Sequence, residues 1–287
     1  MTKEEILQKL QFDTRLRGLS KNTQDEYYTK VKQFQNHYDK PATELTVEDI
    51  KNYLYYLLSE KGLAPGTINT YNSGLRFLYN VTLDMPINPS KIPCHRKQRK
   101  FPDILTRNEV NALFNACNNL RDKCMLMTMY SAGLRLSDVS KLKVADIDSQ
   151  KMQLFIRHGK GGKDRFALLS KTNLDILRKY WKQYQPKDWL FYSRNKTGTH
   201  ITPRAVQDIF RKYKDLAGIS KNVTSHTLRH SFATHLLEDG VSIFHIKQLL
   251  GHADISTTCF YLHLVKISEL NVVSPLDTFA EGIRKDA

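Results

Sequence analysis

Residues 226–261 read HTLRHSFATHLLEDGVSIFHIKQLLGHADISTTCFY. Leu228, Phe232, Leu236 and Leu237 recur at helical spacing, and Gly240 is a natural stop. The pattern predicts a helix with His226 and Arg229 on one face near its start. His252 and Tyr261 follow within the same block, so cationic, hydrogen-bonding and phenolic groups lie close together in a helical region.

These residue types suit chemistry on a phosphodiester. Attack by an oxygen nucleophile builds negative charge on the equatorial oxygens, which needs fixed donors aimed at them. Arginine meets that need best because its guanidinium is always charged and grips two oxygens at once. A tyrosine nucleophile would keep the energy of the broken bond in a covalent phosphotyrosine, so no ATP is needed for resealing. Metal binding is a second possibility, since His226 and His230 are four apart on a helix. HTLRH, however, lacks the glutamate of the HExxH zinc pattern.

Outward toward the N-terminus, Pro203 to Leu216 and Thr172 to Gln185 read as helices, with Arg204 and Lys212 offering charge to a polyanion. Met152 to His158 and Arg165 to Leu169 read as two strands joined by Gly159-Lys-Gly-Gly-Lys-Asp164, which puts Lys160 at a hairpin tip. GKGGKD does not match the phosphate-binding loop GxxxxGK[ST] and lies between strands rather than before a helix. Further back, Tyr130-Ser-Ala-Gly-Leu-Arg135-Leu-Ser-Asp138 places Gly133 as a helix stop and Ser137 as the next cap. Arg135 then sits on a short turn, with Asp138 near enough to orient it or a neighbour. Thr106 with Glu109 forms a capping box before Val110, Leu113, Phe114 and Cys117.

Residues from Met85 to Ile104 break every periodicity with Pro86, Pro89, Pro93 and Pro102, and carry Lys91, His95, Arg96, Lys97, Arg99 and Lys100. Fully extended, the stretch from Pro89 to Ile104 spans roughly 50 Å, enough to cross a DNA groove. Before it, residues 2 to about 80 read as four amphipathic helices. Thr2 and Glu5 cap the first, and Val31 and Phe34, then Ile50, Tyr53, Leu54 and Leu57, then Ile68, Tyr71 and Leu75 mark the buried faces of the others.

Lys and Arg outnumber Asp and Glu by 44 to 29, for a formal charge of +15 spread along the 287 residues. An extended polyanion is the expected partner. The four cysteines form no CxxC pair, the N-terminus is too charged for a signal peptide, and no apolar run reaches spanning length. A cytoplasmic protein without membrane contact is expected.

In this order, Arg135, Lys160, His226, Arg229, His252 and Tyr261 resemble the catalytic set of the tyrosine recombinases, the phage-integrase and Xer-like family. SAGLRLSD, HGKGGKDR, HTLRHSFATHLL, LLGH and STTCFY carry the resemblance, together with LSKNT and LAPGTINTYNSGLRFLY in the N-terminal module. The resemblance implies a mainly α fold with a small β-sheet. It divides the chain into an N-terminal helical core-binding, SAM-like bundle (1–88), a basic linker (89–104), an α+β catalytic domain (105–273) and a C-terminal tail (274–287) that docks in trans.

It also implies roles. Arg135 and Arg229 clamp the phosphate, Tyr261 attacks it to leave a 3′-phosphotyrosyl link, and Lys160 protonates the leaving 5′ oxygen. His226 assists proton transfer, His252 hydrogen-bonds the phosphate, and Asp138, where many relatives have glutamate, supports the site. Lys21, Thr67, Arg96, Lys97, Arg99, Lys100 and Arg204 are expected to touch DNA. Neither a cofactor nor a metal is expected. The implied partner is double-stranded DNA bearing a specific site, bound by a homo-tetramer on paired sites, with a partner recombinase or directionality factor as an addition. No further arm-binding module is visible ahead of the bundle, which points to a compact recombinase. Two other functions fit the same residues: a type IB-like topoisomerase, and a noncatalytic DNA-binding regulator.

Overall fold

Side-chain caps set where the first helices begin. Thr2 accepts from the Glu5 amide while Glu5 returns to the Thr2 amide, opening α1 (Lys3–Leu16). Ser20 caps α2 (Lys21–His37), Thr46 and Asp49 form a second reciprocal box on α3 (Val47–Ser59), and Pro65 occupies the first turn of α4 (Pro65–Phe77). A π-helical turn, Leu78–Thr82, continues α4. The apolar stripes meet in one core of Ile6, Leu10, Val31, Phe34, Ile50, Ile68, Leu75 and Leu78.

In this computed structural model, residues 1–92, 94–95, 101–157, 164–193 and 197–265 are described. The chain divides into two units, Met1–Lys100 and Phe101–Ala287. The proline-rich stretch that sequence marks as a linker starts as part of the first unit: Ile92 is buried in its core. Arg76 of α4 donates to the carbonyls of Pro89 and Ile92, and Asn69 pairs with the backbone of His95 in both directions.

The second unit opens with the Thr106–Glu109 box on α5 (Arg107–Ala116), followed by α6 (Leu120–Ser131) and the short α7 (Leu136–Ser140). An antiparallel sheet follows in the order β1 (Ile147–Asp148), β2 (Gln153–Ile156), β3 (Arg165–Leu168). Sequence patterning missed β1, which has only two residues. It also began β2 one residue early, because Met152 turns into the left-handed region at φ 53°. Then come α8 (Lys171–Tyr184), α9 (Pro203–Leu216), α10 (Ser225–Glu238), α11 (Ile243–Leu250), α12 (Ser256–Cys259) and a 3-10 turn, Phe260–His263. The fold is mainly α with a small sheet, as expected from the sequence. Leu126, Met129, Leu154, Tyr180, Phe210 and Leu228 share the larger core. Phe232, Leu237, Ile246, Leu250 and Tyr261 form a second, smaller one. Among the described residues, no helix is long and apolar enough to cross a membrane.

Candidate active site

α10 is buried along most of its length because it packs against α6, α9, α11 and the Phe260–His263 turn. That burial takes Arg229 out of water: the residue is 2% exposed. A buried guanidinium must have its donors satisfied. Nη1 bonds the Gly133 carbonyl, and Nη2 bonds the Leu250 carbonyl at 2.7 Å and His252 Nε2 at 3.1 Å. Burial, together with the neighbouring Arg135 charge, lowers its pKa to about 9, so it remains a cation at neutral pH.

Gly133 makes this arrangement possible. It sits at φ +57°, and a Cβ there would lie 2.5 Å from the Phe232 ring. The tight turn aims its carbonyl at Arg229 and leads into α7 three residues later.

Tyr261 is 3% exposed and comes from the Phe260–His263 turn; its hydroxyl lies 3.2 Å from His230 Nδ1. Burial raises the phenol's pKa, while the Arg229 and Arg135 charges act in the opposite direction. The His252 ring lies nearly parallel to the phenol, at 10° and 6.3 Å between centroids. Because a guanidinium can only donate, His252 Nε2 accepts from Arg229. The neutral ring then carries its proton on Nδ1, 2.9 Å from Thr258 Oγ1. His226 is exposed on the rim, and loss of solvent around its ring, with the Arg229 and Arg135 charges, lowers its pKa. His230, one turn along α10 with its ring centroid 5.6 Å from that of His226, is driven down to about 4 by burial and by the charges of His226 and Arg229.

Arg135 stands half-buried at the N-cap of α7. Ser137 is not the cap that sequence suggests. The Asp138 carboxylate instead accepts the Arg135 amide at 3.2 Å, which starts the helix two residues earlier. The same Asp138 oxygen takes Arg165 Nη2 at 2.8 Å, so this carboxylate holds the Arg135 backbone with one contact and the Arg165 side chain with the other. Arg165 is itself largely buried against Gly251, with Nε and Nη1 unbonded among the described residues. The charges of Arg135 and Arg165 both depress the pKa of Arg229, and Asp138 works against them. The centre is therefore rich in positive charge.

Arg135, His226, Arg229, His252, Tyr261 and Asp138 all belong to this one region. Lys160 lies outside the described residues, as do Arg96, Lys97, Arg99, Lys100 and the tail from residue 266. Lys21 and Arg204 are far from bare charges, pairing with Asp25 at 2.8 Å and Asp208 at 3.4 Å. Thr67 is half-buried in the first turn of α4. Sequence reasoning missed Arg165 and Thr258, and weighed His230 only as half of a metal pair. Among the described residues, no group of three or more His, Cys, Asp or Glu side chains is placed to hold a metal ion.

Comparison with known proteins identifies the family and the fold. The phage integrase family matches residues 103–266, and the phage integrase N-terminal SAM-like domain matches residues 6–88. The y4qK protein of Sinorhizobium fredii, an integrase/recombinase by name, is 41% identical over 95% of this chain and 88% of its own. A tyrosine recombinase XerD of Oceanobacillus iheyensis is 36% identical over 87% of this chain and 90% of its own. The crystal structure of a lambda integrase(75–356) dimer bound to a COC′ core site covers 91% of this chain and 95% of that one. It shares the fold with a TM-score of 0.74 at 18% identity. The chain belongs to the phage integrase family, and it is an enzyme of the tyrosine recombinase type.

Proposed function

We propose that this recombinase cuts and rejoins double-stranded DNA at a specific site through a 3′-phosphotyrosyl intermediate formed on Tyr261. The observation that carries the reading is the Tyr261 phenol held beside the buried Arg229 cation, with His252 bonded to the same guanidinium. The bonds named above use three of the five arginine donors, leaving donor capacity for phosphate oxygens. Arg135 supplies a second guanidinium for the clamp, and the excess positive charge around Asp138 favours a phosphate in the centre.

In the proposed step, the phenol oxygen bonds to phosphorus as its proton leaves with help from His226. The bond from phosphorus to the 5′ oxygen breaks, and the Lys160 ammonium gives that oxygen its proton. Attack by the 5′-hydroxyl of a second strand reverses these events and exchanges the strands. His252 takes up a proton on Nε2 as it leaves Arg229 and donates from that nitrogen to a phosphate oxygen. The same reading assigns residues 1–88 to DNA core binding, the basic stretch to the phosphate backbone, and the tail after 273 to docking on a neighbouring copy in a tetramer.

The test uses nicked suicide duplexes drawn from DNA flanking the gene, incubated in EDTA without ATP. Wild type should give a denaturation-resistant protein–DNA adduct and Tyr261→Phe none. An adduct that survives in Tyr261→Phe would move the nucleophile elsewhere. Relaxation of plasmid without recombinant products would shift the reading to a type IB-like topoisomerase.

A further inference from the structure

Tyr261 carries a hydrogen-bond partner that the expected catalytic set does not include. His230 Nδ1 lies 3.2 Å from its hydroxyl, and the two rings are 5.6 Å apart between centroids. His230 is the residue after Arg229 on α10, so the helix that fixes the cation also fixes this imidazole. The Arg229 cation lies near enough on the other side to act against the rise in the phenol's pKa. A neighbouring cation attracts the oxygen's lone pair and repels its proton, which is left to point at His230 Nδ1.

We propose that His230 is a positioning residue for the nucleophile: by accepting the phenolic hydrogen bond at Nδ1 it locks the hydroxyl rotor so that a lone pair faces the phosphate held by Arg229. The inference rests on the reading of Tyr261 as nucleophile. Its physical content is simple. A phosphate's nonbridging oxygens are strong acceptors, and a free phenol beside them donates its proton to one of them. That bond turns the proton, rather than a lone pair, toward the phosphate and away from in-line attack. A partner of fixed position on the far side removes that competing geometry before DNA arrives.

His230 suits holding the hydroxyl rather than keeping its proton. His226 and Arg229 face it from its own helix, Tyr261 faces it from the opposite turn, and with burial the charges of His226 and Arg229 hold its pKa near 4. The ring is therefore neutral at physiological pH, with its proton on Nε2 and an open acceptor on Nδ1. The Thr234 hydroxyl donates to the backbone carbonyl of His230 at 3.0 Å, which ties the same helical turn together.

The experiment measures single-turnover cleavage on a nicked suicide duplex that wild type cleaves, with DNA binding and thermal unfolding recorded in parallel. His230→Ala should slow cleavage by roughly tenfold to a hundredfold, the scale of a misplaced reacting group, while binding changes less than about twofold. His230→Asn places an amide oxygen where Nδ1 stood and should recover most of the loss. A duplex with sulfur in place of the bridging 5′ oxygen needs no leaving-group proton. It should rescue Lys160→Ala but leave His230→Ala slow. Wild-type cleavage by His230→Ala, rescue of that variant by the sulfur substrate, or an Asn variant as slow as Ala would each overturn the proposal. Tyr261→Phe separates the two readings. If it still forms the adduct, the nucleophile assignment fails; if it is inert while His230→Ala cleaves normally, only the positioning role fails.

Discussion

A cation such as Arg229 inside a protein costs several kcal/mol unless its hydrogen bonds are met, and here two backbone carbonyls and one imidazole meet them. The neighbouring histidines respond first to burial and then to that fixed charge. The His230 pKa falls from 6.5 to about 4, and that of His226 also falls. In both cases the folded state binds protons less readily than the unfolded chain. Stability is therefore complete above about pH 6.5 and declines as pH falls toward 4, because the unfolded state takes up the proton first. At pH 5 the His230 contribution amounts to about 2 kcal/mol lost. Urea unfolding midpoints at pH 7.5 and pH 5 should show this drop in wild type, and a smaller drop in His230→Gln. An equal drop in both would place the sensitivity on other groups.

At the scale of elements, the site depends on where two short turns stop their helices. The turn after α6 needs Gly133 twice over, for its positive φ and for the space that Phe232 and Leu250 leave it. Gly133→Ala therefore forces a strained backbone and pushes on both side chains, moving the carbonyl that holds Arg229 and the start of α7 that carries Arg135. The variant should lose about 2–4 kcal/mol of stability, read as a lower urea midpoint with an unchanged slope, and its cleavage should fall more steeply than its DNA binding. The turn after α11 uses Gly251 in the same way: a Cβ there would lie 2.4 Å from Arg165 Cδ, so this glycine seats the arginine that pairs with Asp138.

Across the whole molecule, each unit has its own apolar core, one around Phe34 and Ile50, the other around Met129 and Phe210. The formal charge of the chain is +15. Individual cations are partly answered, as Lys21 is by Asp25 and Arg211 by Asp208, so the count of positive residues exceeds the number available to phosphate. If about six to ten phosphates are neutralised, duplex affinity should fall by roughly 10³-fold or more between 50 and 200 mM salt. A titration on a duplex of unrelated sequence checks this. Affinity that hardly changes over that range would mean that the surface charge does not face DNA.

Helix positions and most residues of the candidate site were legible in the sequence because both are local. Capping boxes at Thr2, Thr46 and Thr106 span three residues, apolar stripes repeat within a turn or two, and HTLRH, LLGH and STTCFY keep their chemistry in short strings. The small sheet was half legible, since β1 has only two residues and is defined by pairing with β2. What only the tertiary structure decided are contacts between residues far apart in the chain: Arg165 on Asp138, Gly133 and Leu250 on Arg229, and His230 on Tyr261. No periodicity carries such information. Residues 21 to 96 positions apart meet because buried donors and acceptors must find partners once α10 is packed, and the packing, rather than the string, selects which partners those are.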